Sequence, residues 1–183
     1  MTIDGRGLAL LAALAGCTGA APSGSLDDIG GGTVRGGWED GDSVDIAIEV
    51  PGTARWCAAA RWLELSAVSG DTGVMVALFP AESLARGTYP VARPARAGAI
   101  QQRPGATLGV RWFTPGLVAG YRGWEGDVEV TAFVSGAEER TVSGRIEASA
   151  AAVTGEGDPL AVEGEFDRVP VTDADSGCAS AQY

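Results

Sequence analysis

The sequence predicts an all-β domain, either an antiparallel β-sandwich or a curled, barrel-like sheet of about eight strands. Three observations carry that prediction. Apolar and polar residues alternate with a period of two in one segment after another, which places successive side chains on opposite faces of a strand. Glycine and proline punctuate the gaps between those segments. No stretch sustains the roughly 3.6-residue apolar period of a long amphipathic helix.

The elements follow in order along the chain. Val44, Ile46, Ile48 and Val50 alternate with Asp45, Ala47 and Glu49, and Pro51-Gly52 is expected to turn the chain. Ala54 to Ala60 is alanine-rich, but Trp56 and Cys57 interrupt it and it is too short for a secure helix. Leu63, Leu65 and Ala67 alternate with Glu64 and Ser66. Val74 to Phe79 is apolar on both faces, as a central strand would be, so Ser69 to Gly73 reads as a hairpin loop. Pro80 to Leu84 has room for one helical turn.

Gly87 to Val91 reads as a short edge strand, because proline cannot donate to a central ladder. Arg93 to Gly105 has no period and reads as loop. Leu108, Val110 and Trp112 form the apolar face of the next strand. Leu117 to Arg122 returns after Pro115-Gly116. Val128, Val130, Ala132 and Val134 alternate with Glu129, Thr131 and Phe133. Val142-Ser143-Gly144-Arg145-Ile146 and Val162-Glu163-Gly164-Glu165-Phe166 form a small repeat. Each places a glycine in mid-strand on the apolar face, the mark of a bulge or a close backbone approach that lets a sheet curl.

The N-terminal segment has different physics. Arg6 precedes an apolar run, Leu8 to Ala15, that ends at Gly16-Cys17. Eight apolar residues cannot cross a hydrocarbon core that needs about 20, so the run reads as a secretory signal. Leu14-Ala15-Gly16-Cys17 resembles the lipobox of bacterial lipoproteins. The resemblance implies cleavage before Cys17, a lipid on its sulfur and a membrane-anchored position in the cell envelope. Thr18, not aspartate, follows that cysteine, which in a two-membrane bacterium implies the outer membrane.

The expected organisation is therefore a signal over residues 1–16, a lipidated cysteine and Gly/Ser-rich tether over 17–41, and one β-domain over 42–183. The strand patterns of the last third, ending in a cysteine near the terminus, also resemble small β-rich lipoproteins of GC-rich bacteria. That likeness implies a fold and no activity. With Cys17 assigned to lipid, Cys57 and Cys178 remain as an even pair in an oxidising compartment, and a disulfide between them is expected. Two unpaired thiols are the alternative.

Composition narrows the function classes. The net charge is −11, which opposes binding to nucleic acid. The chain has no histidine, so histidine-based triads, zinc sites and neutral-pH acid–base chemistry have no residue to run on. No catalytic residue is assigned and no cofactor is expected; the reading is a non-enzymatic structural or interaction module with a protein or glycan partner. A calycin-like binder of a small ligand or carbohydrate is the alternative, and a hydrolase using paired carboxylates such as Glu129, Glu147, Glu163 and Glu165 comes third.

The remaining candidates have bland readings beside them. Trp38, Trp62 and Trp124 sit among glycine and polar residues and are candidate stacking platforms, or covers for an open end of the sheet. Asp40, Asp42 and Asp45 crowd the entry to a strand and are a candidate calcium loop, or a solvated acidic turn without EF-hand spacing. Arg93, Arg96 and Arg103 form a basic loop that docks an anionic partner or is simply solvated.

Overall fold

The computed structural model describes residues 32–40, 44–93, 103–114, 117–136, 139–154 and 158–174. Nine strands follow one another: β1 (Thr33–Asp40), β2 (Val44–Cys57), β3 (Trp62–Ser69), β4 (Thr72–Phe79), β5 (Gly87–Pro90), β6 (Gly105–Thr114), β7 (Leu117–Ser135), β8 (Arg140–Ala152) and β9 (Leu160–Asp173). Eight of them close an antiparallel barrel in which chain neighbours pair, from β1 through β4, on to β6 and round to β9, which pairs back on β1. The short β5 is the additional strand and pairs with the later part of β7. No described residue is helical, so Pro80 to Leu84 forms no helical turn.

The two-residue alternation places one set of side chains inside. Leu63, Leu65 and Ala67 of β3 meet Val74, Val76 and Leu78 of β4, and all are buried. Ala106, Leu108, Val110 and Trp112 continue the same interior on β6, and Val142, Ile146, Val162 and Phe166 close it from β8 and β9. Trp112 lies between Trp38 and Tyr121, with ring centroids 5.7 and 5.1 Å away. The Phe166 ring lies against Gly144, where a Cβ would run into that ring and into the Glu129 carbonyl oxygen. Gly144 is the point at which the β8–β9 register shifts, as the mid-strand glycine predicts.

Four expectations are corrected. The domain begins before residue 42, because β1 occupies the Gly-rich stretch expected to be tether. Its Val34 and Trp38 are buried, and Gly36 and Gly37 pair with both β2 and β9. Pro51-Gly52 does not end the strand. Pro51 precedes the first residue paired with β3, an edge-like position where a missing N–H is tolerated, and the Gly52 N–H donates to the Gly32 carbonyl at 2.9 Å.

Leu117 to Ser135 is one strand, not two. The register shifts between Gly123 and Glu125, leaving Trp124 as the extra residue of a bulge. A second shift between Val130 and Ala132 reverses the alternation, so Phe133 packs on the core and Val134 is exposed.

Candidate functional site

The groove with the most varied chemistry lies outside the barrel, across β3, β4, β6 and β7, with a volume of about 520 Å³. Register explains its shape. On the outer face Ser66 stands opposite Met75, Met75 opposite Gly109, and Gly109 opposite Arg122. One row along, Gly73 stands opposite Arg111, and Arg111 opposite Gly120. Three glycines therefore floor the centre of a four-strand face. A Cβ added at Gly109 would meet no atom within 4 Å.

Arg111 and Arg122 rise beside this floor as diagonal neighbours, each directly across from a glycine. Neither has an ion pair or hydrogen bond among the described residues. Val68 and Val153 add apolar walls, and both are exposed. Glu64 stands on the β3 wall, opposite Arg55 in register. Trp62 closes the far end and stacks on Phe79 at 5.4 Å. Its indole Nε1 is buried and has no acceptor among the described residues.

Trp62, Ala77, Phe79 and Cys57 form a second apolar cluster on the outer face, with Ala174 packed against it. Arg103 lies over Phe79 and donates to the carbonyls of Arg61, Ala60 and Pro80 at 2.9, 3.0 and 3.3 Å. Arg61 donates in turn to the carbonyls of Ala81 and Glu82. Arg103 is thus a fastener between loops, not a free cation waiting for an anionic partner. Arg93 lies 4.7 Å from the Trp124 ring and pairs with Glu125 at 3.5 Å. Arg96 lies outside the described residues.

The opposite outer face, over β1, β2, β8 and β9, has an open depression of about 620 Å³. A row of alternating charge crosses it in register: Glu49, Arg35, Glu165, Arg145 and Glu129. Arg35 meets Glu49 at 3.0 Å and Arg145 meets Glu129 at 3.1 Å. In the next row Asp127, Glu147 and Glu163 stand directly opposite one another and are exposed. Glu129, Glu147, Glu163 and Glu165 thus lie on an open face, two of them in the charge ladder.

The tryptophan candidates separate. Trp38 is 2% exposed and Trp62 1%, so neither presents a ring to a sugar, whereas Trp124 is exposed at the β7 bulge. Placing glycines around Trp38 suggested a surface; closure of the barrel buries it. Asp40 and Asp45 lie on the facing ends of β1 and β2, their side chains outside the described residues, as is all of Asp42. Among the described residues no group of three acids or cysteines has metal-holding geometry. Cys57 is buried and is not a free thiol; Cys17 and Cys178 lie outside the described residues.

The residues that sequence reasoning missed are Arg111, Arg122, Gly109 and Gly120. Their alternation was visible, but which strands would stand beside one another was not. No protein-family model matches the chain, and no curated protein and no solved structure is significantly similar to it.

Proposed function

We propose that this chain is a lipid-anchored binding module of the cell envelope, a non-enzymatic β-barrel that engages its partner through the outside of the barrel. The observation that carries the reading is the packing of the interior. An eight-stranded barrel has room for its own side chains or for one small ligand. Here Trp38, Trp112, Tyr121 and Phe166 occupy that space with the aliphatic core. The polar chemistry is left on the outer faces, and the paired acids that could run hydrolysis sit there in the open.

The anchor rests on Leu14-Ala15-Gly16-Cys17. Metabolic labelling with palmitate and fractionation test it. The native chain should take up label and sediment with membranes, and Cys17→Ser should be unlabelled and soluble. Unchanged membrane association of the variant would refute the anchor.

The anchor fits an oxidised domain, and we place a disulfide between Cys57 and Cys178. β2 and β9 run parallel at their ends, Trp56 opposite Asp173. The Ala174 N–H donates to the Trp56 carbonyl at 2.9 Å, and Ala174 packs with Cys57. Cys178 follows four residues later, an extended reach of about 13 Å. The bond would close a loop of roughly 120 residues, worth about 4–5 kcal/mol in the chain-entropy account. A non-reducing digest should yield one peptide joining the two cysteines; separate alkylated peptides would dismiss the bond.

A further inference from the structure

We propose that the outer groove over β3, β4, β6 and β7 binds a small organic anion, with its carboxylate or phosphate head on Arg111 and Arg122 and an apolar body over Gly109 and Met75. The proposal is independent of the anchor, which fractionation of Cys17→Ser reads alone.

The chain carries a net charge of −11, so arginines have carboxylates within easy reach. Five of the eleven described arginines use them: Arg35, Arg93, Arg140, Arg145 and Arg168 form ion pairs. Arg61 and Arg103 are taken up by backbone carbonyls, and Arg55 is also engaged. Arg86, Arg111 and Arg122 have no such partner among the described residues, and only the last two stand together. Like charges at diagonal positions repel, so the pair is unfavourable until an anion lies between. Guanidinium forks suit carboxylate and phosphate oxygens, which they hold by two parallel hydrogen bonds.

Each arginine faces a glycine across the ladder, so its head has open space beside it instead of a neighbouring side chain. The groove's volume of about 520 Å³ lies in the range typical of small-molecule sites, about 300–1,000 Å³. Met75, half-buried, presents apolar surface in the same row as Gly109 and Arg122. Glu64, on the far wall, repels a second anionic group and so orients the ligand with its head at the β6–β7 side.

Isothermal titration of the full chain with octanoate, acetate, inorganic phosphate and octanol tests the proposal. Octanoate should bind saturably at one site, and each of the other three at least ten-fold more weakly, because each lacks the chain or the head. Arg111→Ala/Arg122→Ala should weaken octanoate at least ten-fold. Gly109→Val, whose new Cβ has open space around it, should do the same with no fall in melting temperature. Arg35→Ala, on the opposite face, should leave binding unchanged. Equal octanoate affinity in the double variant, or no saturable binding to the native chain, would overturn the proposal. So would concentration-dependent dimerisation that the double variant abolishes, since the groove would then be covered by a second copy.

Discussion

On the β1–β2–β8–β9 side of the barrel, arginines stand opposite carboxylates; on the β3–β4–β6–β7 side, two arginines stand opposite glycines. Both faces belong to one closed sheet and both obey the same alternation. The first pairs its arginines Arg35 and Arg145 with carboxylates of neighbouring strands. The second leaves cations over bare backbone and gathers apolar side chains beside them. The difference shows that glycine has two uses in this barrel. Gly144 and Gly164 admit a neighbour that is already there, a ring or a backbone. Gly109 admits nothing that the described residues supply.

The largest effect is expected where a glycine is filled from within. In Gly144→Val the new side chain has to displace the Glu129 carbonyl and the Phe166 ring. Overpacking of this kind costs about 3 kcal/mol or more. Urea denaturation followed by tryptophan fluorescence should show a midpoint far below that of the native chain. A change of less than about 0.5 kcal/mol would mean that the two faces do not use glycine differently.

How far the chain could be read in advance depends on which contacts are local. The interior of β3, β4 and β6 was legible, because Leu63-Leu65-Ala67 and Leu108-Val110-Trp112 state their inward face by period alone. The mid-strand glycines Gly144 and Gly164 were legible for the same reason. β1 was not, since Gly36 and Gly37 look flexible until β2 and β9 flank them. The bulges of β7 were hidden because an extra residue reverses alternation without leaving a sequence mark. The groove needs four strands in register, a non-local fact, so Arg111 and Arg122 read only as solvated residues of two separate segments.

The next effect lies at the seam between the faces, where β5 takes the edge of β7 that β6 has left. Tyr89 is buried there, and its hydroxyl donates to the Ala85 carbonyl at 2.9 Å. Burial pushes the Tyr89 hydroxyl above its ordinary value of 10.0, with the Ala85 hydrogen bond opposing. The folded state therefore holds its proton more tightly than the unfolded chain does. Stability from this group is complete below about pH 10 and falls as pH rises through the folded-state value. Tyr89→Phe should cost about 1 kcal/mol at neutral pH and flatten this alkaline loss. A variant as steep as the native chain above pH 10 would assign the loss elsewhere.

On the groove side, Gly109→Val should act in the opposite sense to Gly144→Val. Glycine in a strand interior costs roughly 0.5–1 kcal/mol relative to alanine, and the new Cβ meets no described atom within 4 Å. A small rise in the denaturation midpoint is expected. A clear fall would show that Gly109 is a packing glycine like Gly144, and the distinction between the faces would lose its clearest member.

The smallest effect concerns the acidic row beside the charge ladder. Asp127, Glu147 and Glu163 stand opposite one another, and like charges in that register destabilise a sheet. Glu147→Arg places a cation between the two remaining carboxylates and repeats the alternation of the adjacent row. All three side chains are exposed, so the gain should be about 0.2–1 kcal/mol. Ionic strength supplies the control: at 1 M salt the screening length is about 3 Å, and the advantage should nearly vanish. The same salt series on Arg111→Ala/Arg122→Ala, without ligand, should show a slight gain at low salt, because removing two neighbouring unpaired cations relieves repulsion. If the double variant is instead less stable at low salt, the arginines are already satisfied within the protein, and the two faces are alike.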